Sequence, residues 1–257
     1  MSVKQLMDIS GKVALITGGS RGLGLQMAEA LGEMGCKLAI TARKQAELDA
    51  AAAHLGKMGI EVMTVAGDLS KFDQAPALVD AVLGRYGTVD ILVNNAGASW
   101  GAPAEDHPLE AWNKLMNLNV TAMFVMSQCV GKKVFIPRKA GKIINIASIA
   151  GLSGGTPDMA TVAYSTSKAA ALNFTRALAS EWGKYNINVN AICPGFFPSR
   201  MSNGLLEVIG DDVIAATPLH RLGGEEDLKG TVVFLAAAAS RHITGQYIAV
   251  DGGACIT

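Results

Sequence analysis

The 257-residue chain has few charged residues, few aromatic residues and no excess of either sign of charge. Charged side chains make up 17% of it and aromatic side chains 5%, and 22 basic residues balance 22 acidic ones. Because the sequence has no basic stripe and no charged tail, it predicts neither a nucleic-acid partner nor a charged membrane surface. The longest apolar run, residues 232–239, is too short to span a bilayer.

Cysteine and histidine are also scarce, with four of each. The cysteines lie far apart and form no CxxC pair, which favours reduced thiols in a cytosol over a disulfide framework or a zinc site. The histidines show no metal-ligand spacing, so we expect no bound metal. The first twelve residues lack the apolar stretch of a secretory signal. The sequence therefore predicts a soluble, cytoplasmic protein.

Short β-rich runs alternate with longer helical patterns along the chain. The predicted strands are residues 13–17, 37–41, 61–65, 90–96, 141–148, 187–193 and 246–250. The helical patterns between them include 23–34, 45–57, 73–85, 110–134, 163–184 and 228–238. Nearly all-apolar strands separated by helices indicate a parallel sheet covered on both faces. We expect one α/β domain, 1–257, with a Rossmann-type doubly wound sheet of about seven strands.

A glycine-rich turn, TGGSRGLG from Thr17 to Gly24, follows the first predicted strand. Gly18, Gly22 and Gly24 let backbone N–H groups approach a phosphate, and the next helix points its positive end at the same place. Glycines also make ordinary strand-to-helix turns, but this position favours a dinucleotide site. The predicted contacts in this turn are Gly18, Ser20, Arg21, Gly22, Leu23 and Gly24.

The end of the second predicted strand indicates which dinucleotide binds. An enzyme that uses NAD usually has an acidic residue there for the ribose hydroxyls, whereas this chain has Ala42, followed by Arg43 and Lys44. With Arg21 in the glycine turn, these cations suit the additional phosphate of NADP. The alternative is that Arg43 and Lys44 are only the first residues of a solvent-exposed helix. We expect NADP, bound in a pocket without a carboxylate.

Two further strand ends carry candidate cofactor contacts. Asp68 and Leu69 follow the third strand, where a carboxylate could accept from the adenine amino group. Asn95, Ala96 and Gly97 end the fourth, where small residues let the backbone approach a ligand. Each could be an ordinary turn, but ligands of open α/β sheets bind at successive carboxyl ends of strands.

Tyr164 and Lys168 lie four residues apart on one face of a predicted helix. A free phenol has a pKa of about 10, too high for efficient proton exchange at neutral pH. A nearby ammonium would lower that pKa, and Ser148 could donate a hydrogen bond to a substrate carbonyl. A Tyr/Lys pair at this spacing is common by chance, but beside a dinucleotide site it suggests hydride transfer.

Several motifs occur in order along the chain: TGGSRGLG, NNAG, Asn119 in NLNV, Ser148 in NIAS, YSTSK from Tyr164 to Lys168, and Pro194-Gly195. Together they resemble the short-chain dehydrogenase/reductase family over essentially the whole chain. The resemblance implies a Rossmann-type fold and a catalytic tetrad of Asn119, Ser148, Tyr164 and Lys168.

The resemblance also implies a role for each residue of the tetrad. Tyr164 would be the general acid in ketone reduction and the base in the reverse direction. Lys168 would hold the nicotinamide ribose and lower the pKa of Tyr164, Ser148 would polarise the carbonyl, and Asn119 would support a water-linked proton relay. The segment after the sixth strand would wrap the nicotinamide through Pro194, Gly195, Phe197 and Ser199.

The segment of about 196–220 resembles the family's mobile substrate lid. Its apolar residues, Leu205, Leu206, Val208 and Ile209, favour an acyl chain, and PGFFPSRM is similar to the 3-oxoacyl reductases of rhamnolipid synthesis. Its polar residues, Asn203, Glu207, Asp211 and Asp212, leave a polyol substrate as an alternative. The chain is also similar to members of the gluconate 5-dehydrogenase type. Ser148 and Tyr164 are 16 positions apart, more than is usual, so residues 151–163 predict an unusual pocket rim.

These observations lead to one principal expectation and two alternatives. We expect an NADP(H)-dependent oxidoreductase that transfers hydride between nicotinamide and a ketone or secondary alcohol, with a 3-oxoacyl-type or related carbonyl substrate. The alternatives are a sugar or polyol dehydrogenase and, more remotely, a non-catalytic nucleotide-sensing protein. The family implies a homotetramer through helices that begin near Glu110 and Ala163.

Overall fold

A computed structural model of the chain describes residues 1–155 and 159–256. Seven strands in this part of the chain form one parallel sheet in the order β3-β2-β1-β4-β5-β6-β7. They are β1 (Val13–Thr17), β2 (Lys37–Ala42), β3 (Val62–Ala66), β4 (Ile91–Asn94), β5 (Gly141–Ile146), β6 (Ile187–Pro194) and β7 (Tyr247–Val250). The strand order reverses between β1 and β4, so the predicted doubly wound fold is confirmed.

Helices cover both faces of the sheet. They are α1 (Val3–Met7), α2 (Gly22–Glu33), α3 (Gln45–Lys57), α4 (Gln74–Tyr86), α5 (Leu109–Met116), α6 (Ala122–Val130), α7 (Ile136–Arg138), α8 (Val162–Trp182), α9 (Asn203–Ala216) and α10 (Lys229–Ala236). Side chains of β1 alternate between two cores: Ala14 and Ile16 pack with α2, α3 and α10, whereas Val13 and Leu15 pack with α4, α6 and α8. In the described part of the chain, no helix combines the length and the apolar character needed to cross a membrane.

The helix predicted over 110–134 is longer and less regular than its sequence pattern indicates. Two π-helical turns, Asn117–Thr121 and Gly131–Phe135, join α5, α6 and α7. At the second turn the indole of Trp182 occupies the space of a side chain, since a Cβ on Gly131 would lie 2.2 Å from its ring. The first turn holds Asn119, one of the predicted site residues, and π turns inside α-helices often mark functional sites.

The segment of 196–220 contains α9, and none of the side chains of that helix is buried. The predicted unusual rim, residues 151–163, is described except for 156–158, which lie outside the described residues. Before that gap, residues 149–151 form a 3₁₀ turn packed on α8, because a Cβ on Gly151 would lie 2.6 Å from the carbonyl carbon of Lys168. The described part of the rim is therefore fixed to the helix that carries Tyr164.

Candidate active site

The predicted site residues converge on the carboxyl edge of the sheet, around the point where the strand order reverses. Apart from Tyr164 and Lys168, which lie on α8, each predicted cofactor contact follows the end of a strand: Gly18, Ser20, Arg21, Gly22, Leu23 and Gly24 after β1, Arg43 after β2, Asp68 and Leu69 after β3, Asn95, Ala96 and Gly97 after β4, and Pro194, Gly195, Phe197 and Ser199 at and after β6. Because all the strands are parallel, these loops share one edge. That edge is the candidate active site.

The glycine loop after β1 is held against the end of β4. Gly18 and Gly22 have positive φ angles of 65° and 53°, which side chains rarely permit. Asn95 Nδ2 donates to the carbonyl oxygens of Thr17 and Gly18, each at 3.0 Å. A Cβ on Gly24 would lie 2.2 Å from the carbonyl oxygen of Gly18. The loop therefore forms a cradle that a larger residue would fill, as a dinucleotide pyrophosphate requires.

Asn119 is fully tied into the site by hydrogen bonds. Its Oδ1 accepts from the backbone N–H of Ala98 at 2.8 Å, and its Nδ2 donates to the carbonyl of Ala98 and to Ser167 Oγ, each at 2.9 Å. A Cβ on Gly97 would lie 3.1 Å from Asn119 Oδ1 and 3.7 Å from Lys168 Nζ. Asn119 and Lys168 therefore flank the same glycine at the end of β4.

Tyr164, Lys168 and Ser148 come together between α8 and the end of β5. Lys168 Nζ lies 5.6 Å from the centroid of the Tyr164 ring and donates to the carbonyl of Ile146 at 2.9 Å. The Ser148 hydroxyl acts on the phenol of Tyr164 and lowers its pKa, and Ser148 Oγ accepts from the backbone N–H of Ala150 at 3.2 Å. The fold thus brings two hydroxyls together beside a buried ammonium.

The protonation of this group differs from the expectation that Lys168 lowers the pKa of Tyr164. Burial raises the pKa of Tyr164, and the Ser148 hydroxyl offsets that rise only in part. Burial lowers the pKa of Lys168 to about 8. The ammonium points to the carbonyl of Ile146 rather than to the phenol, so desolvation dominates among the protein's own groups. The phenol is kept in its proton-donating form.

The adenosine side of the cleft contains a carboxylate, so the expectation of an acid-free pocket is wrong. Glu47, in the first turn of α3, accepts from Arg21 Nη1 at 2.7 Å through its Oε1. The same oxygen lies 3.6 Å from Lys44 Nζ and 3.8 Å from Arg200 Nη1. The i, i+3 spacing of Lys44 and Glu47 is a local signal for that pair alone, and no local pattern places Arg21 or Arg200 beside Glu47. A carboxylate therefore lies beside the glycine loop although position 42 is alanine.

The other predicted adenosine contacts have their own partners. Asp68 Oδ1 accepts from the backbone N–H and the hydroxyl of Ser70 at 3.0 and 2.8 Å. Burial raises the pKa of Asp68, but these hydrogen bonds and the charges of Arg43 and Lys71 outweigh it and lower that pKa overall. The side chain of Leu69 is buried in the core. The charge of Arg43 therefore acts on Asp68.

After β6, the chain leaves the sheet at Pro194-Gly195 and then turns along the cleft. The ring of Phe197 is buried, and a Cβ on Gly223 would lie 2.4 Å from it. Ser199 Oγ lies 2.9 Å from Ser202 Oγ. The Phe197 ring thus anchors the segment in the core, and only the main chain of that residue is left to face a cofactor.

A chain of buried polar side chains beneath the site was not anticipated from the sequence. Asn94 Nδ2 donates to Asn145 Oδ1 at 2.9 Å and to Ser127 Oγ at 3.0 Å. Asn145 Nδ2 donates in turn to Thr175 Oγ1 at 2.9 Å. The signal was an asparagine near the end of each of two neighbouring apolar strands. The chain joins β4, β5, α6 and α8, which also carry or adjoin the site residues.

Comparisons with known proteins agree with this geometry. Residues 12–208 match the family model for short chain dehydrogenase. The 2-dehydro-3-deoxy-D-gluconate 5-dehydrogenase of Escherichia coli K12 is 38% identical, over 96% of each chain. The rhamnolipids biosynthesis 3-oxoacyl-[acyl-carrier-protein] reductase of Pseudomonas aeruginosa is 37% identical, over 96% of this chain and 97% of that one. The crystal structure of a gluconate 5-dehydrogenase from Burkholderia cenocepacia, in complex with NADP and tartrate, superposes with a TM-score of 0.93, at 31% identity and over 100% of both chains.

These relatives confirm the resemblance predicted from the ordered motifs, including both of the subgroups to which the sequence is similar. The cofactor in the Burkholderia structure is the one that the basic residues predict. The match covers far more than half of the chain and includes the glycine loop and the Tyr/Lys pair. The chain therefore belongs to the short-chain dehydrogenase/reductase family and is an oxidoreductase acting on CH–OH and C=O groups.

Proposed function

We propose that the chain is an NADP(H)-dependent reductase of a 3-oxoacyl-type or related carbonyl compound, able to run in reverse on the secondary alcohol. The observation that carries the proposal is the pairing of the Tyr164 and Ser148 hydroxyls beside Lys168, next to a glycine cradle. When bound, the cofactor supplies the hydride. The protein supplies position, a proton and a polarised environment.

The two hydroxyls support a division of labour at the substrate oxygen. Because the hydroxyl of Ser148 lies near enough to the phenol of Tyr164 to affect its pKa, one carbonyl oxygen could receive hydrogen bonds from both. Burial keeps the phenol of Tyr164 protonated, so it can give its proton to the oxygen as negative charge develops there. Lys168, buried beside Gly97, would bind the nicotinamide ribose and return a proton to the phenol. Asn119 holds the loop at Ala98 in place and would support that relay.

The cofactor would lie along the carboxyl edge of the sheet. The backbone of 18–24 would hold the pyrophosphate at the start of α2. Asp68 would accept from the adenine amino group, with the backbone of Leu69 beside it, and Asn95–Gly97 would give the ribose and nicotinamide a close approach. Pro194–Ser199 would contact the carboxamide, and Arg21 and Arg43 would bind the 2′-phosphate.

The segment of 196–220 supports an acyl substrate. As the proposed substrate lid, it carries apolar side chains that the core does not use: Val208 is 80% exposed and Met201 54% exposed. Trp100, in the loop after β4, is also exposed. Exposed apolar side chains in segments at the carboxyl edge of the sheet suit an alkyl chain.

A sugar-acid dehydrogenase is the second candidate. The E. coli relative and the Burkholderia structure are named for gluconate-type substrates, and α9 also carries Glu207, Asp211 and Asp212. α9 has no basic side chain, and the exposed Arg200 before it pairs with Glu47, whereas recognition of a substrate carboxylate favours a free arginine or lysine. We therefore place the acyl substrate first.

The substrate class is tested by comparing two ketones with NADPH. Initial rates of NADPH oxidation should be fast with a short 3-oxoacyl thioester and slow with 5-ketogluconate, because the proposed lid presents apolar side chains. The reverse order would assign the sugar-acid reaction and contradict the acyl proposal. The same assay with NADH should give a lower rate.

The proton donor is tested with Tyr164→Phe. Loss of the phenol hydroxyl should lower turnover by about 10²–10⁴-fold, the usual contribution of a general acid, and leave NADPH affinity largely intact. Initial rates and a fluorescence titration with NADPH measure the two quantities. Tyr247→Phe, at an exposed tyrosine on β7, is the matched control and should retain turnover. Retained turnover in Tyr164→Phe would remove the phenol from the mechanism.

The buried ammonium of Lys168 makes stability depend on pH. It keeps its proton up to a pKa of about 8 in the fold, against the ordinary 10.5, so the unfolded chain binds more protons between these values. Stability of the wild type should therefore rise relative to Lys168→Met, by on the order of 2–3 kcal/mol from about pH 7 to about pH 10. Urea unfolding at each pH measures this difference.

Lys142 provides a matched control, because burial also lowers its pKa to about 8. It lies at the opposite edge of the sheet, where it donates to Ser240 Oγ at 3.1 Å. Lys142→Met should show a similar pH trend in stability and keep its activity, whereas Lys168→Met should lose activity. A pH-independent stability difference for Lys168→Met would contradict the buried-charge explanation.

We further propose a cytoplasmic homotetramer assembled through α5, α6 and α8. Exposed apolar side chains on these helices support it: Leu109, Phe124 and Val162 are 71%, 44% and 40% exposed, and Phe124 packs edge-on against Phe174 of α8. Light scattering at micromolar concentration should give the mass of four chains, and Phe124→Glu should lower it. A monomeric wild type would exclude the tetramer.

The free cysteines support the cytoplasm as the compartment, and cell fractionation tests this assignment.

A further inference from the structure

One carboxylate oxygen on the adenosine side of the cleft is shared by three cations. Glu47 Oε1 lies 2.7 Å from Arg21 Nη1, 3.6 Å from Lys44 Nζ and 3.8 Å from Arg200 Nη1. The cations come from three separate segments: the glycine loop, the start of α3 and the proposed lid. Glu47 is 27% exposed, whereas Arg200 is 72% exposed. Glu47 is therefore the more enclosed partner, at the point where the three segments meet.

A phosphate bound at this place would compete with Glu47 for the same cations. The cations that converge on Oε1 include Arg21, which the proposed function assigns to the 2′-phosphate of NADP(H). A phosphate monoester carries a charge of about −1.5 to −2 and three acceptor oxygens, so it competes with a single carboxylate for the same N–H donors. Ion pairs between exposed side chains are weak, so the phosphate can displace Glu47. The carboxylate then remains nearby as a like charge, which opposes binding.

The same carboxylate favours a ribose without the phosphate. Dinucleotide enzymes that use NAD accept hydrogen bonds from the ribose hydroxyls on an acidic side chain near the end of β2. In this chain that position is Ala42, and Glu47 brings an acid to the same region from α3. Arg43, the other proposed phosphate contact, acts on Asp68 instead. One side chain thus helps the hydroxyl form of the ribose and hinders the phosphate form.

We propose that Glu47 is the residue that sets the balance between NADP(H) and NAD(H), and that it makes the chain tolerant of both. The proposal rests on the proposed function, since it assumes the dinucleotide site at this edge. Glu47 lowers the preference for the phosphorylated cofactor below what Arg21, Lys44 and Arg200 would give alone. Without the charge of Glu47, Arg21, Lys44 and Arg200 would lose the carboxylate that they share.

The test uses two fragments that bind without turnover, adenosine 2′,5′-bisphosphate and 5′-AMP. Calorimetric titration of the full chain gives the affinity for each, and their ratio measures selectivity for the phosphate. In Glu47→Gln the bisphosphate should bind about five- to twentyfold more tightly. Binding of 5′-AMP should stay equal or weaken, because the amide accepts hydrogen bonds less strongly than the carboxylate. The ratio should therefore rise at least fivefold.

Glu61 supplies the matched control. Its carboxylate also contacts two cations, Lys37 Nζ at 3.8 Å and Arg85 Nη2 at 3.5 Å, but it lies just before β3 at the opposite edge of the sheet. Glu61→Gln should leave the ratio unchanged.

The outcomes separate this inference from the proposed function. An unchanged ratio in Glu47→Gln, or weaker binding of the bisphosphate, overturns the inference, because Glu47 would then be neutral or would only position Arg21. The wild type would still bind the bisphosphate in both cases, and the proposed function would stand. A wild type that binds neither fragment overturns the proposed cofactor site and the inference with it.

Discussion

The site depends on the close approach of the loop after β1 to the end of β4. Thr17 Oγ1 accepts from the backbone N–H groups of Asn95 and Ala96, and the Asn95 amide donates back to the loop. Glycine at position 18 is required by this approach, since a Cβ there would lie 2.9 Å from Asn95 Nδ2. The same stretch of β4 then leads to Gly97, against which Asn119 and Lys168 lie. One contact between two strand ends therefore aligns the phosphate cradle with the proton-transfer group.

The chemistry of the site comes at a cost to the fold. A buried ammonium and a half-buried phenol lie together, and loss of solvent disfavours the charged form of each. The polar chain through Asn94 and Asn145 crosses an otherwise apolar core beneath them. Such a chain is stable only when its members are hydrogen-bonded to one another, and it fixes the relative positions of β4 and β5. Rigidity below the site and desolvation within it thus arise from the same packing.

The sequence predicted the sheet well, because its strands are short apolar runs between turn signals. All seven strands lie within a few residues of the predicted bounds, and the tetrad residues come together. Three features could not be predicted from local patterns. The π turns depend on tertiary packing such as that of Trp182 against Gly131, and the pKa of Tyr164 depends on burial that spacing does not measure. The carboxylate beside Arg21 depends on Glu47, 26 residues away along the chain.

The protonated phenol of Tyr164 also bears on the direction of the reaction. While Tyr164 carries its proton, it can donate that proton in a reduction. Oxidation must begin by removing the proton, which the raised pKa of Tyr164 opposes. Each reduction takes up one proton in addition to the hydride, so at a fixed cofactor ratio the equilibrium ratio of alcohol to ketone falls about tenfold for each unit rise in pH. That dependence belongs to the reaction and is the same for any catalyst. The environment of Tyr164 therefore decides which protonation state the enzyme starts from in each direction, and it leaves the equilibrium unchanged.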